Sequence, residues 1–386
     1  MRPVLPWSEE FLRYDFGPGH PMDPVRLDLT RHLLDDLGLT GRFDVVAPPA
    51  ATDAELALVH DPAYIRAVRA AERTGHAEAG WGLGDADNPV FPLIHTAAAR
   101  IAGATLDAVR RVVDGRAPRA FVVAGGLHHA MPAAAAGFCV YNDVAVALAA
   151  VRASGPLLYV DLDVHHGDGV QRAFFDDPAV TTVSLHQHPR SLYPHTGYPA
   201  EVGRGGGSGH ALNLALPEDV TDAQWLRALE AIVAPVVAEL RPRLLLSQHG
   251  CDTHRDDPLG GLAISIEAQR EAAILLRGLA DEHCGGRWVA VGGGGYDLLT
   301  VPRVWTHVAA VVADADVDPT TPTPERWRAH VRRVTGGAAP ETMGDGVTAT
   351  FSPFHRGHNP ADAVDRAIMA TRSAAFPSLG LDPLTA

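Results

Sequence analysis

The chain contains no lysine: all 32 of its basic residues are arginine, set against 46 acidic ones for a formal net charge of -14. No strip of positive charge is evident that could neutralise successive phosphates, which argues against nucleic acid as a direct partner. Cysteine is nearly as scarce. Cys139, Cys251 and Cys284 are the only three and none sits in a CxxC pair, so neither a disulfide framework nor a thiolate metal site is indicated, and a reducing compartment fits. No run approaches the roughly 20 apolar residues of a membrane span. Glu9, Glu10, Arg13 and Asp15 stand where a signal peptide would need its apolar core, so we expect a cytoplasmic protein with no membrane partner.

What is present is ample apolar material. With 386 residues, 46% hydrophobic and 20% charged, the chain can bury a full core, and a single large α/β domain is expected. Short runs rich in β-branched and aliphatic residues recur at Ala120–Ala124, Leu157–Val160, Thr181–Leu185, Leu244–Ser247 and Trp288–Val291, each reading as a buried parallel strand. Segments of helical period lie between them, at Asp143–Ala153, Asp222–Leu240 and Ile266–Glu282, with Thr221 and Ser265 as helix starts. Val317–Pro324, rich in Thr and Pro, reads as a linker that divides a catalytic domain (1–316) from a C-terminal extension (317–386) whose helical stretches Pro324–Val334 and Ala361–Ser373 pack back on it. Gly203–Gly209 lacks the lysine of a phosphate loop and reads as a flexible surface loop.

Strands alternating with helices imply a parallel sheet covered on both faces, with ligands bound outside the carboxyl ends of the strands. Polar groups cluster there. His128 and His129 follow the first of the five strands, Asp161 to His165 end the second, His186 follows the third, Asp252 the fourth and Tyr296 the fifth. Along Asp161-Leu162-Asp163-Val164-His165 the two-residue alternation of a strand points both carboxylates and the imidazole to one side. Such groups would repel or stand unpaired without a cation. A catalytic zinc takes three nitrogen or oxygen ligands and keeps one position open. Asp163 and His165 supply two, and Asp252, flanked by glycine in Gly250-Cys251-Asp252, is the natural third, with Cys251 as the alternative donor. Amide hydrolysis also needs a base and an acid, for which the loop Gly125-Gly126-Leu127-His128-His129 offers two imidazoles, with Asp161 and Asp168 as their orienting partners. Gly292-Gly293-Gly294-Gly295-Tyr296 ends in a phenol suited to donate to a developing oxyanion.

These residues carry a resemblance. GGLHHA (125–130), GFCVYNDVAVA (137–147), YVDLDVHHGDGVQRAF (159–174), TVSLHQ (182–187), CDT (251–253) and GGGGYD (292–297) resemble, in order and spacing, the arginase/deacetylase superfamily, and within it the class I type histone deacetylases and the bacterial acetoin utilization deacetylases. The resemblance runs from about Gly19 to Trp305. It implies one α/β domain with an eight-stranded parallel sheet, a zinc ion (or iron) on Asp163, His165 and Asp252, an acid/base pair His128 and His129 backed by Asp161 and Asp168, and Tyr296 polarising an acyl carbonyl. It further implies an acyl-lysine tunnel walled by Gly137, Phe138 and Tyr193 with Leu259 near its mouth, Asp87 at the rim with Asp85 as the fallback, and Arg26 near a pocket for released acetate. A structural potassium would be held by carbonyls of Asp161, Asp163, His165 and Leu185 and the hydroxyl of Ser184; a second monovalent site would involve Phe174, Asp177 and Val180, with His210 in place of the usual aromatic contributor.

The implied substrate is an acylated lysine on a protein, a metabolic enzyme such as acetyl-CoA synthetase being the family-based expectation; a chain without lysine cannot be its own substrate. His254-Arg255-Asp256-Asp257 departs from eukaryotic relatives and leads us to expect a more polar rim. Three alternatives stand beside this reading: an acetylpolyamine amidohydrolase with the same catalytic atoms, a non-catalytic acyl-lysine reader, and an arginase-like dimanganese enzyme.

Overall fold

A computed structural model describes residues 1–384. Its eight strands are β1 (Val4–Pro6), β2 (Asp44–Val46), β3 (Arg119–Val122), β4 (Leu157–Asp161), β5 (Val180–Gln187), β6 (Ala211–Leu216), β7 (Leu244–Gln248) and β8 (Trp288–Val291). They form one sheet in the order β2-β1-β3-β8-β7-β4-β5-β6, and every pairing is parallel. From β3 to β8 each strand residue is buried, as a parallel sheet covered on both faces requires, while the short edge strand β2 is largely exposed.

The five strands expected from aliphatic runs all form, their ends shifted by at most two residues. The three others lacked the signal. β1 and β2 are three residues long, and β6 carries Asn213 in its middle. The helix starting at Thr221 has a reciprocal cap with Gln224, and Ser265 Oγ accepts from Ala268 N at 3.1 Å, so both helices begin where short side chains satisfy free amides. The glycine run Gly203–Gly209 is not a loose loop. Gly207 is buried, and a Cβ on Gly203 would come within 2.0 Å of Gly207 O, so glycine serves close packing of a turn.

One apolar core extends from Val4 to Phe376. The helix Glu325–Thr335 docks on the helix Val25–Asp36 through Trp327, which is fully buried and donates its indole N–H to Leu29 O at 2.9 Å, and through His330, 2.5 Å from Asp28. The helix Ala363–Ala375 is tied by a two-pronged Arg227–Asp365 pair at 2.7 and 2.9 Å, and by Thr371 donating to Asn213 O of β6 at 2.6 Å. Trp327→Ala removes the largest side chain at the first of these contacts and leaves a cavity. It should lower stability by about 3–5 kcal/mol in a denaturant titration; a loss under about 1 kcal/mol would mean the helix contributes little to the core.

Candidate active site

The strand order sets β3, β8, β7, β4 and β5 side by side, so all five of the strand ends that carry polar groups are neighbours. Asp161 closes β4; Asp163 and His165 follow it, and Asp252 follows β7. Ligand-type atoms of Asp163, His165 and Asp252 all lie within 4.8 Å of one another, and all three residues are buried. His165 Nδ1 is 3.1 Å from both Asp163 Oδ1 and Asp252 Oδ2. Zinc–ligand bonds of about 2.0–2.1 Å place the corners of a tetrahedron about 3.3 Å apart, so these atoms need little movement to share one ion.

The outer oxygens are held. Asp163 Oδ2 accepts from Gln248 Nε2 at 2.6 Å and from Gly294 N at 2.9 Å, and Asp252 Oδ1 accepts from Val164 N at 2.9 Å. Gly294 has to be glycine: a Cβ there would stand 2.1 Å from Asp252 Oδ2 and 2.8 Å from Asp163 Oδ2. Asp161 is occupied otherwise, accepting from Tyr159 OH and lying beside His128 Nδ1, both at 2.8 Å. Cys251 is buried outside the trio, its thiol 3.6 Å from His249 O.

Electrostatics fit a cation. Burial and the neighbouring charge of Asp163 push Asp252 up to about 8, so the two carboxylates resist ionising side by side. Burial would lower His165, but hydrogen bonds and charge from Asp163 and Asp252 raise it to about 10. A dication set among two carboxylates and a neutral imidazole would bring the formal charge near zero.

The two loop imidazoles are each backed by a carboxylate, His128 Nδ1 with Asp161 Oδ2 at 2.8 Å and His129 Nδ1 with Asp168 Oδ1 at 2.7 Å. Their surroundings push them apart. Burial would lower His128, yet the charges of Asp161 and Asp163 raise it to about 9; burial and the charge of His128 leave His129 below the usual histidine value despite Asp168. Gly137, at φ +50°, lets the next loop cross the His129 ring, where a Cβ would stand 2.4 Å from Cδ2.

Asp87, His129, Gly137, Phe138, His165, Leu192, Tyr193, Leu259 and Tyr296 line one cavity of about 260 Å³. Phe138 meets Tyr296 edge-on at 5.7 Å and His129 meets Tyr193 at 5.1 Å, so rings form much of the wall. Asp87 stands exposed at the rim, whereas Asp85 accepts from the amides of Asp87 and Asn88 at 3.1 and 2.7 Å and shapes the loop instead. Arg26 lies outside this cavity. It is buried beneath the glycine run, donates to Gly295 O at 2.8 Å and Gly293 O at 3.2 Å, stacks 5.6 Å from the Tyr296 ring, and borders a second small cavity with Tyr14, Leu127 and Trp305. Asp161 pairs with Ser184 in the β4–β5 register, which puts the segments expected to hold potassium side by side; the Ser184 hydroxyl lies 2.8 Å from His186 Nδ1. His210, expected near a second monovalent site, has its Nδ1 2.7 Å from Thr181 Oγ1.

The expectation of a more polar rim holds for two of its four residues. In the stretch 254–257, Arg255 and Asp256 stand outside, whereas His254 (1% exposed) and Asp257 (7%) turn inward. Asp257 Oδ2 accepts from Tyr296 N at 2.6 Å and so orients the phenol. Sequence reasoning also missed Asp143, which accepts from Gly126 N at 3.0 Å and Leu127 N at 2.8 Å and shapes the histidine loop, and Gln248. Gln248 ends β7 and follows the strand-end rule; Asp143 reads only as a first-turn helix acid.

A buried trio of ligand-type groups beside two imidazole–carboxylate pairs, at the carboxyl edge of a parallel sheet, is the layout of a metal-assisted hydrolase. The histone deacetylase domain matches residues 20–312. The acetoin utilization protein AcuC of Bacillus subtilis (strain 168) is 37% identical over 380 residues, covering 96% of this chain and 97% of the relative, and that of Staphylococcus xylosus is 34% identical over 327 residues, covering 83% and 85%. Among solved structures, an HDAC homolog complexed with SAHA superposes with a TM-score of 0.82 at 29% identity, covering 95% of this chain and 99% of the other. An HDAC homolog from Aquifex aeolicus gives 0.83 at 29% identity, covering 96% and 99%. The chain belongs to the histone deacetylase family of hydrolases.

The crowding at Gly294 yields a direct check. Gly294→Ala should weaken binding of added zinc by at least about 10-fold in a chelator competition, with the circular dichroism of the parent; unchanged affinity would show that the two carboxylates tolerate displacement.

Proposed function

We propose that the protein is a zinc-dependent amide hydrolase that removes acetyl or other short acyl groups from lysine side chains of proteins. The observation that carries this is the single cavity with an exposed carboxylate, Asp87, at its rim, aromatic walls, and His129, His165 and Tyr296 converging on it. Its volume of about 260 Å³ leaves room for an acyl-lysine arm, and its lining includes groups that amide hydrolysis requires. Asp163, His165 and Asp252 would hold the ion, iron being the alternative metal. When bound, such an ion supplies Lewis acidity, lowering the pKa of water and polarising a carbonyl.

The chain's own groups divide the rest. Phe138 and Tyr193 flank the lysine methylenes, and Asp87 accepts hydrogen bonds from the substrate backbone at the rim. Tyr296 donates its hydroxyl hydrogen to the acyl carbonyl oxygen, stabilising negative charge as it develops. His129, kept neutral by burial and by the charge of His128, engages Asp168 through Nδ1 and leaves Nε2 to take a proton from the attacking water. The water oxygen bonds to the carbonyl carbon, the C–N bond breaks, and His129 returns the proton to the departing amine. His128 pairs with Asp161 through its own Nδ1 at 2.8 Å. A potassium ion at the carbonyls of Asp161, Asp163, His165 and Leu185 and the hydroxyl of Ser184 would stiffen the ligand segment. The protein substrate in this reading is an acylated metabolic enzyme such as acetyl-CoA synthetase; the relatives' name speaks only of acetoin utilization.

The test is hydrolysis of an acetyl-lysine peptide by zinc-loaded protein, beside acetylspermidine. Turnover should favour the peptide, vanish with chelator and return with zinc; preference for acetylspermidine would assign the site to small amines. Tyr296→Phe should cut kcat by about 10²-fold or more, the effect of one oxyanion donor, and near-parental turnover would remove the phenol from the reaction.

A further inference from the structure

Residues beyond 312 lie outside the matched family domain, yet one of them reaches the loop that carries Asp252. Asp345 Oδ2 accepts from Ile266 N at 2.9 Å and lies 3.0 Å from His254 Nε2. His254 Nδ1 accepts from Asp256 N at 3.1 Å, which leaves the ring hydrogen of the neutral form on Nε2, facing Asp345. The backbone of His254 is tied as well, its N–H donating to Cys251 O at 3.0 Å. His254 is thus clamped midway along a loop with two functional ends. Asp252 faces His165 Nδ1 at 3.1 Å at one end, and Asp257 holds Tyr296 N at 2.6 Å at the other.

The segment that presents Asp345 is itself preset. Met343 is fully buried, Arg303 donates to Gly344 O at 3.1 Å, and the amides of Asp345 and Gly346 both donate to Glu267 Oε1 at 2.9 Å. A Cβ on Gly344 would stand 2.5 Å from that same Glu267 oxygen, so the turn admits only glycine without rearrangement. We propose that Asp345 is a positioning residue for the hydrolysis, fixing Asp252 and Tyr296 together through His254 from a segment outside the family domain. This rests on the reading of Asp252 as a metal ligand. Groups that orient a ligand are typically worth about 10–100-fold in metal affinity or activity.

Asp345→Asn, His254→Gln, the pair combined and Asp365→Asn would be compared by zinc competition against a chelator, by kcat and KM on an acetyl-lysine peptide, and by thermal melting. Asp345→Asn should lower zinc affinity about 10–100-fold and reduce kcat, with KM held within about twofold. His254→Gln should act in the same direction, and the pair should be no worse than its weaker member, as expected of one shared contact. Asp365→Asn loosens the extension elsewhere and should lower the melting temperature while leaving zinc affinity and kcat alone. Parental zinc affinity and kcat in Asp345→Asn, or equal losses in Asp365→Asn, would overturn the proposal. Should Asp345→Asn fail to fold, His254→Gln carries the same two outcomes. Asp252→Asn separates the underlying reading: if it retains zinc, the ligand assignment fails; if it loses zinc while Asp345→Asn does not, only the positioning role fails.

Discussion

Two carboxylates buried against one imidazole form the constraint around which the rest of the molecule is arranged. Asp163 and Asp252 have no exposed surface, and each lies near enough to the other that ionising both is opposed by burial and by mutual repulsion. A protein gains nothing in stability from such a pair alone. The surrounding structure nevertheless holds it in place with amides from Val164 and Gly294, the side chain of Gln248, and a glycine where any side chain would collide. That much organisation around an unfavourable pair makes sense when a cation supplies the missing charge. The parallel sheet is what makes it feasible, because adjacent strands end together and deliver residues from separated parts of the sequence to one edge.

The paired histidines extend the same principle. Each imidazole has a carboxylate at Nδ1, yet one is raised and the other lowered, since His128 sees Asp161 and Asp163 while His129 sees the charge of His128. Neighbouring groups of one residue type thereby have their proton affinities pushed in opposite directions. The loop that bears them is shaped by Asp143, whose carboxylate collects two successive amides. A change at that residue would be felt at the imidazoles without touching substrate.

Much of this was legible in the residues, and the reason is local. Strand alternation singles out Asp163 and His165, although β4 ends at Asp161 and the two converge from the bend that follows it; the aliphatic runs of β3, β4, β5, β7 and β8 announce themselves because both faces of the sheet are buried. β1 and β2 are too short for any pattern, and β6 is interrupted by Asn213, whose side chain donates to Gln171 at 2.7 Å in place of an apolar contact. His254 was misread because polarity suggests exposure. Its partner Asp345 lies 91 residues away, and no sequence window joins them. Arg26 shows the same limit in milder form: its place beneath Gly293 and Gly295 depends on packing between the first helix and the last strand end.

The central claim is that one ion binds between Asp163, His165 and Asp252. Crystals of zinc-loaded protein, with diffraction recorded on both sides of the zinc absorption edge, test it most directly. The account predicts a single strong anomalous peak per chain within bonding distance of those three side chains. A peak elsewhere, two peaks in the cavity, or a peak that leaves Asp252 outside bonding distance would contradict it.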